Sequence, residues 1–292
     1  MNEHNKSLIY IHLSVFLFGF SALFARWVDQ PSFVITFGRV FFSSIFLFFF
    51  IKCNRLSLTL QSRKDYLLII FAGILLAVHW YCFIQSIQLS TIAIGTITFS
   101  TFPIFVSFLE PIIFGEKIRV RIVISSIIML FGILIITPVV NDQESNQRTI
   151  GVIVGLVSSL SFAILSLFNR YFSARYRPEI IVFYEQAGAA VVLLPFVFVF
   201  RPLIVIADII LLAVFGIIFT AIAHGLFVKG LRYVKVSTAG IISGLEAVYS
   251  IILASLLLRE IPVMNEVIGG LIVVVLAGYI TLFRDRHYNK LL

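Results

Sequence analysis

The sequence predicts an all-α integral membrane protein of ten transmembrane helices in two inverted five-helix repeats. Three observations predict it. Ten apolar stretches run almost end to end through the 292 residues, the second five repeat the first five, and Lys and Arg gather on alternate loops. The composition agrees: 60% hydrophobic residues, 12% charged residues and a mean hydropathy of +1.08. A soluble domain of this size does not have that balance. Five crossings per repeat is an odd number, so the two halves sit in the bilayer upside down relative to each other.

A crossing needs roughly 20 mostly apolar residues. The stretches that qualify are 8–27, 33–51, 66–87, 92–114, 122–139, 150–168, 180–200, 209–228, 236–258 and 263–283. The first has a short polar start with Lys6 and a long apolar core. It ends in Arg26-Trp27 without a small-x-small cleavage site, so it reads as a helix and not as a removed signal. Pro31 and Pro178 open the second helix of each half. The polar stretch 141–148, with Asp142 and Glu144, reads as a tether between repeats spanning 8–139 and 150–283, the linker being 140–149.

Placing the N-terminus in the cytoplasm and alternating sides puts 17 of the 22 Lys and Arg on the inner face. Four, Arg26, Arg148, Arg201 and Arg259, fall outside, and Arg39 lies within a span. That asymmetry predicts cytoplasmic termini, and the expected location is the bacterial cytoplasmic (inner) membrane. It also accounts for the net charge of +8 through anionic lipid headgroups, with no nucleic acid required. Cys53 and Cys82 lie far apart in this topology, so no disulfide is expected.

The repeat is legible in short matches. Gly230-Leu231-Arg232-Tyr233 reads like Ser86-Ile87-Gln88-Leu89, and the same offset pairs Glu116 with Glu260, each of which closes a helix. At these residues the chain resembles a known family. Thr101-Phe102-Pro103-Ile104-Phe105-Val106-Ser107-Phe108-Leu109-Glu110-Pro111 through Gly115-Glu116 resembles the fourth helix of the EamA branch of the drug/metabolite transporter superfamily. Leu245-Glu246-Ala247-Val248 through Arg259-Glu260 resembles the matching ninth helix, with Ala247 where a proline often follows the glutamate. The resemblance covers nearly the whole chain. It implies ten spans in two EamA repeats, with small-metabolite transport, often amino acid export. It also implies a cavity formed by helices 1–4 and 6–9, with helices 5 and 10 peripheral.

Polar residues inside the spans locate a candidate site, because a charge at bilayer depth tends to face a cavity or a partner. Glu246 lies near the midplane of the ninth span, on a face with Ala239, Ser243 and Ser250. Thr96, Ser100, Pro103, Ser107 and Glu110 form a similar stripe on the fourth, and Thr36, Arg39 and Ser43 on the second. Two readings stand: a water-accessible central site, or helix–helix hydrogen bonding. Arg39, a permanent cation, suits a substrate carboxylate or phosphate; its alternatives are snorkelling and an ion pair with Glu246. Glu185 and Gln186 occupy the corresponding part of the seventh helix. His79, Trp80 and Tyr249 are aromatic candidates for stacking or packing, and His224 mirrors Trp80 in the repeat. The candidate substrate-binding or coupling set is therefore Glu246, Arg39, Glu185, Trp80, His79, Tyr249, Ser100 and Ser243. Gly151/Gly155 and Gly240/Gly244 are GxxxG pairs that permit close helix contact.

Two function classes follow. An intramembrane enzyme needs a nucleophile or metal with a base, and the sequence has no HExxH, no GxSxG and no Walker A motif. A non-transporting structural or sensor membrane protein is the further alternative, but a secondary transporter of a small polar metabolite, acting by alternating access, gives the inverted repeat a mechanical purpose. The transporter expectation is of a non-enzymatic exporter without cofactor or metal. Its partners are a small-molecule substrate, membrane lipid and protons as candidate coupling ion, in a monomer or weak homodimer.

Overall fold

The computed structural model describes residues 3–114, 120–137 and 143–288. Among these residues every regular element is a helix. The order is α1 (Glu3–Trp27), α2 (Ser32–Cys53), α3 (Arg63–Leu89), α4 (Ile92–Phe99), α5 (Phe102–Phe114), α6 (Val120–Ile136), α7 (Gln143–Ser173), α8 (Pro178–Phe200) and α9 (Ile206–Gly216). After a π-helical segment, Ile217–Ile222, come α10 (Ala223–Gly230), α11 (Val236–Ser243), α12 (Leu245–Leu257) and α13 (Met264–Tyr288). Lipid offers no hydrogen bonds to a bare backbone, so apolar spans must satisfy theirs internally, and helices do so.

The described residues hold eight stretches long and apolar enough to cross a membrane, α4–α5, α9–α10 and α11–α12 each counting once. A shorter ninth is Met264–Leu276, and α6 has 17 residues. The described parts of the ten predicted stretches fall on helices, and eight meet the measure of a span. Residues 143–149 of the predicted tether form the first turns of α7. Positions 140–142 and Glu116 lie outside the described residues.

The core is apolar, but so is much of the surface, and ionisable groups are buried. Leu67, Ile70, Phe71 and Ile74 of α3 and Phe48, Phe49 and Phe50 of α2 are exposed, while Arg39, Glu185, Gln186, His224 and Asn169 are buried. An apolar surface, with the few ionisable side chains of the spans turned inward, is what a bilayer as solvent requires.

The halves pack with the same contacts in exchange. The first helix, α1, lies on α10 and α12, and its repeat partner α7 lies on α3, α4 and α5; α2 packs on α8 and α6 on α13. A shift of 144 positions relates the details. Ser14 Oγ donates to the Ala223 carbonyl at 2.7 Å, and Ser158 Oγ donates to the His79 carbonyl at 3.0 Å. A Cβ on Gly151 would meet the Ser86 carbonyl at 3.1 Å, and one on Gly230 would meet the Ser7 carbonyl at 3.0 Å. Each contact is the other with the halves swapped, as a two-fold axis through the bundle demands. The interruptions obey the same rule: α4 gives way to α5 at Ser100-Thr101, α11 to α12 at Gly244, and Ser100 and Gly244 are repeat equivalents. Gly151 and Gly155 face Ser86, Ser90 and Thr98, and Gly240 faces Pro103, so these small residues serve contacts within the chain.

The bundle ends are tied by charge. At one, Glu260 accepts from Arg26 Nε at 3.2 Å and from the Ile92 backbone N–H at 2.6 Å, capping α4. Arg170, the repeat equivalent of Arg26, bonds Glu110 at 2.7 Å. Tyr176, in the loop between α7 and α8, donates to Asp65 at 2.6 Å. Burial and that carboxylate push the Tyr176 phenol above its ordinary value.

Candidate functional site

The site forms where the two halves meet. Arg39 points inward from α2 and is 1% exposed. Its Nε donates to Thr220 Oγ1 at 3.0 Å, and its guanidinium carbon lies 3.7 Å from the Trp80 ring centroid and 4.2 Å from that of Phe215. A desolvated cation between two aromatic faces gains about 2 kcal/mol or more from the ring quadrupoles. Nη1 is left buried without a hydrogen-bond partner.

The π-helical segment supplies this cradle. Thr220 Oγ1 donates to the Phe215 carbonyl, five residues back, at 2.9 Å, which leaves the same oxygen free to accept from Arg39. Gly216 lets α2 come close: a Cβ there would sit 2.8 Å from the Arg39 carbonyl oxygen. Single-turn widenings of this kind cluster at functional sites.

Arg39 faces a cavity of about 20 Å³ lined also by Trp80, His79, Glu246, Ser21 and the rings of Phe18, Phe83, Phe99 and Phe162. That is room for about one water. Phe18 and Phe162 are repeat equivalents on α1 and α7, so the cavity straddles the relation between the halves. Glu246 sits in the first turn of α12, just beyond the Gly244 interruption, and is 4% exposed. Among the described residues neither Arg39 nor Glu246 has an ionic partner. His79 Nδ1 lies 2.8 Å from Ser158 Oγ and 3.1 Å from the Ser158 carbonyl. A carbonyl only accepts, so the ring proton is on Nδ1 and the lone pair on Nε2.

Glu185 lies off the cavity. Its Oε2 is 2.9 Å from His224 Nε2, both side chains are 0% exposed, and the His224 ring meets Trp80 edge to face at 5.7 Å.

Of the eight residues chosen from sequence, Arg39, Glu246, His79 and Trp80 converge on the cavity, and Glu185 reaches it through His224 and Trp80. Tyr249 lies elsewhere: it packs its Cβ against Gly19 and meets Phe16 edge-on at 5.6 Å. Ser100 donates back to the Thr96 carbonyl at 2.9 Å, which serves the interruption of the helix. Ser243 is buried with its Oγ unpartnered. The lining comes from α1, α2, α3, α4, α7 and α12, with none from α6 or α13. Sequence reasoning missed Thr220, Phe215, Ser21 and the Phe18/Phe162 pair. Only the pair carried a signal, its equivalence in the repeat.

Comparisons with known proteins bear on the whole chain. The model of the EamA-like transporter family matches residues 5–137 and again 149–283. A protein of Archaeoglobus fulgidus named an uncharacterized transporter is 27% identical over 277 residues, covering 94% of this chain and 95% of that one. The uncharacterized transporter YxxF of Bacillus subtilis is 24% identical over 292 residues, covering 97% and 92%. A solved crystal structure superposes with a TM-score of 0.69 at 16% identity, covering 97% of this chain and 98% of the other, and so shares the fold.

Proposed function

From the premise that the chain belongs to the EamA-like transporter family, we propose that it moves a small zwitterionic metabolite, of the amino acid type, outward across a cytoplasmic membrane by alternating access. One observation carries this reading. A permanent cation and a carboxyl group, both buried, face one small cavity with no salt bridge between them. Leaving two opposite charges unpaired in a low-dielectric interior is unfavourable unless a third body satisfies them. A ligand with a carboxylate for Arg39 and an ammonium for Glu246 would do so, and the Trp80 and Phe faces would hold its carbon skeleton.

With room for about one water, the cavity is too small for such a substrate as it stands, and the substrate enters when the halves separate. The interruptions at Ser100-Thr101 and Gly244 stand at equivalent depths and are natural points of bending; broken helices at mid-membrane accompany this class of motion. The 17-to-4 split of basic residues supports cytoplasmic termini.

The test is flux in proteoliposomes. Purified protein is reconstituted and counterflow is measured for a panel of zwitterionic, purely anionic and purely cationic metabolites. Saturable counterflow confined to zwitterions is the expected result. Transport of ligands lacking either charged group would overturn it.

A further inference from the structure

The second half of the chain buries its own pair of titratable groups, and the cavity does not use them. Glu185 Oε2 and His224 Nε2 are 2.9 Å apart, both side chains are fully buried, and each keeps an unpartnered polar atom, Glu185 Oε1 and His224 Nδ1. Gln186, next in the chain, has both side-chain polar atoms buried without partners. Unsatisfied polar groups inside a packed membrane protein are unfavourable, and they persist where they do work.

Their position in the repeat is informative. His224 is the equivalent of Trp80, and counting from Pro31 and Pro178 makes Gln186 the equivalent of Arg39. The second half thus presents, where the first has its stacked cation, a hydrogen-bonding amide beside an imidazole–carboxylate pair. Trp80 and His224 touch across the halves, so the indole that stacks on Arg39 also meets the imidazole.

We propose that the Glu185–His224 pair is the proton-binding site of this transporter, coupled through Trp80 to the cavity at Arg39; this rests on the transporter reading above. The proton arithmetic is simple. With neutral imidazole donating Nε2–H to an ionised Glu185, the pair carries one negative charge and Nδ1 offers a lone pair. One proton at Nδ1 gives an imidazolium–carboxylate pair of zero net charge. The bond survives in both states while the charge changes by one unit, next to the indole that also contacts a permanent cation.

The charged and titratable groups around His224 are few. From α8 there is Glu185; from α3, His79 and the Trp80 indole; from α2, Arg39; and from α12, Glu246, which faces Arg39 across the cavity. Among the described residues α1 and α7 bury no ionisable side chain against this region. His79 already holds its Nδ1 proton on Ser158, so it is the control for the assignment.

Protonated imidazole quenches a touching indole, which gives a readout that needs no substrate. The chain has two Trp, so Trp27→Phe leaves Trp80 alone. In detergent, Trp80 emission should fall in one step on acidification, because the imidazole that gains the proton touches the indole. The step should vanish in His224→Gln, shift its midpoint in Glu185→Gln and persist in His79→Gln. A flat wild-type curve, a step that survives His224→Gln, or one lost with His79→Gln overturns the assignment. The coupling is read in proteoliposomes with the zwitterion that shows counterflow. Glu185→Gln should lose far more of the movement driven by a proton gradient than of the counterflow. Gradient-driven movement equal to wild type overturns coupling, while an absence of counterflow in wild type counts against the substrate reading and leaves the optical result standing.

Discussion

Arg39 and Glu246 face one cavity and do not pair with each other. Arg39 is instead held by Thr220 at 3.0 Å and by the Trp80 and Phe215 faces, a cradle independent of the glutamate. The absence of the bond separates two roles. If the residues existed to neutralise each other, removing both charges would leave a working protein. The geometry predicts otherwise: Arg39→Gln with Glu246→Gln should insert and express, yet give less than about a tenth of wild-type counterflow, the loss of at least one charge-assisted contact of ~1.5 kcal/mol or more. Counterflow at half the wild-type rate or better in the double variant would remove Arg39 from the binding site.

Trp80 carries two contacts that chemistry can pull apart. Its face stacks on Arg39 and the ring meets His224. Trp80→Phe keeps an aromatic face with a weaker quadrupole, so binding should weaken by roughly threefold to tenfold, with the fold retained. Trp80→Ala leaves a void beside Arg39 and His224 as well, and should lower stability by about 3–5 kcal/mol, as large aromatic deletions do. Counterflow KM and thermal denaturation in detergent measure the two effects. Equal KM in Trp80→Phe and wild type would mean that the stacking does not matter to the ligand.

Two glycines in one short helix make a paired test of the packing. A Cβ at Gly230 would collide with Ile11 and approach the Ser7 carbonyl at 3.0 Å, whereas nothing lies within 4 Å of one at Gly225. Gly230→Ala should therefore destabilise by about 1–3 kcal/mol through overpacking. Gly225→Ala should be neutral or stabilise by up to about 1 kcal/mol, the helical preference of Ala over Gly. Melting curves of the two proteins decide, and a reversed order would mean that α1 and α10 do not meet as described.

The fold was legible because a bilayer writes itself into sequence as long apolar runs, and because duplication leaves matched signs such as Pro31/Pro178. The site was partly legible for the same reason. Arg39, Glu246 and His79 stand out in apolar spans, since lipid tolerates no idle charge. Which face of a helix a residue occupies was less clear. In spans with 31 Phe and 10 Tyr, Tyr249 could not be told from a cavity ring, and it packs on α1 instead. The π-helical segment was invisible, because Ile217–Ile222 is as apolar as the helices flanking it and the extra residue per turn leaves no compositional trace. Glu185 and His224 were each noticed, but they are 39 positions apart and only the folded packing joins them.

Orientation can be checked with one cysteine. Cys53 is exposed at the end of α2 and Cys82 is buried. In a Cys53→Ser background, Asn146→Cys, exposed in the first turns of α7, should label from outside with an impermeant maleimide. Tags on both termini should be reachable only from the cytoplasm, as the basic-residue asymmetry requires. External access to the termini would invert the assignment of every polar residue to a side of the membrane.

Glu246 gives the sharpest separation of binding from structure. It stands at the first turn of α12, just beyond Gly244, where the helix dipole favours negative charge. It also lines the cavity beside Arg39, with no ionic partner among the described residues. Glutamine keeps the shape and most of the hydrogen-bonding capacity and removes the charge, so Glu246→Gln should fold and melt within about 1 kcal/mol of wild type, the range of a substitution that leaves no cavity. Loss of an ion pair to the substrate ammonium should cut zwitterion counterflow by about tenfold to a hundredfold, the effect of one charged contact of 1.5–3 kcal/mol. Glu246→Asp shortens the arm and keeps the charge, so it should recover part of that loss. If glutamine and aspartate variants lose counterflow equally, the charge is not what the site uses; if glutamine transports as wild type does, the ammonium is held elsewhere.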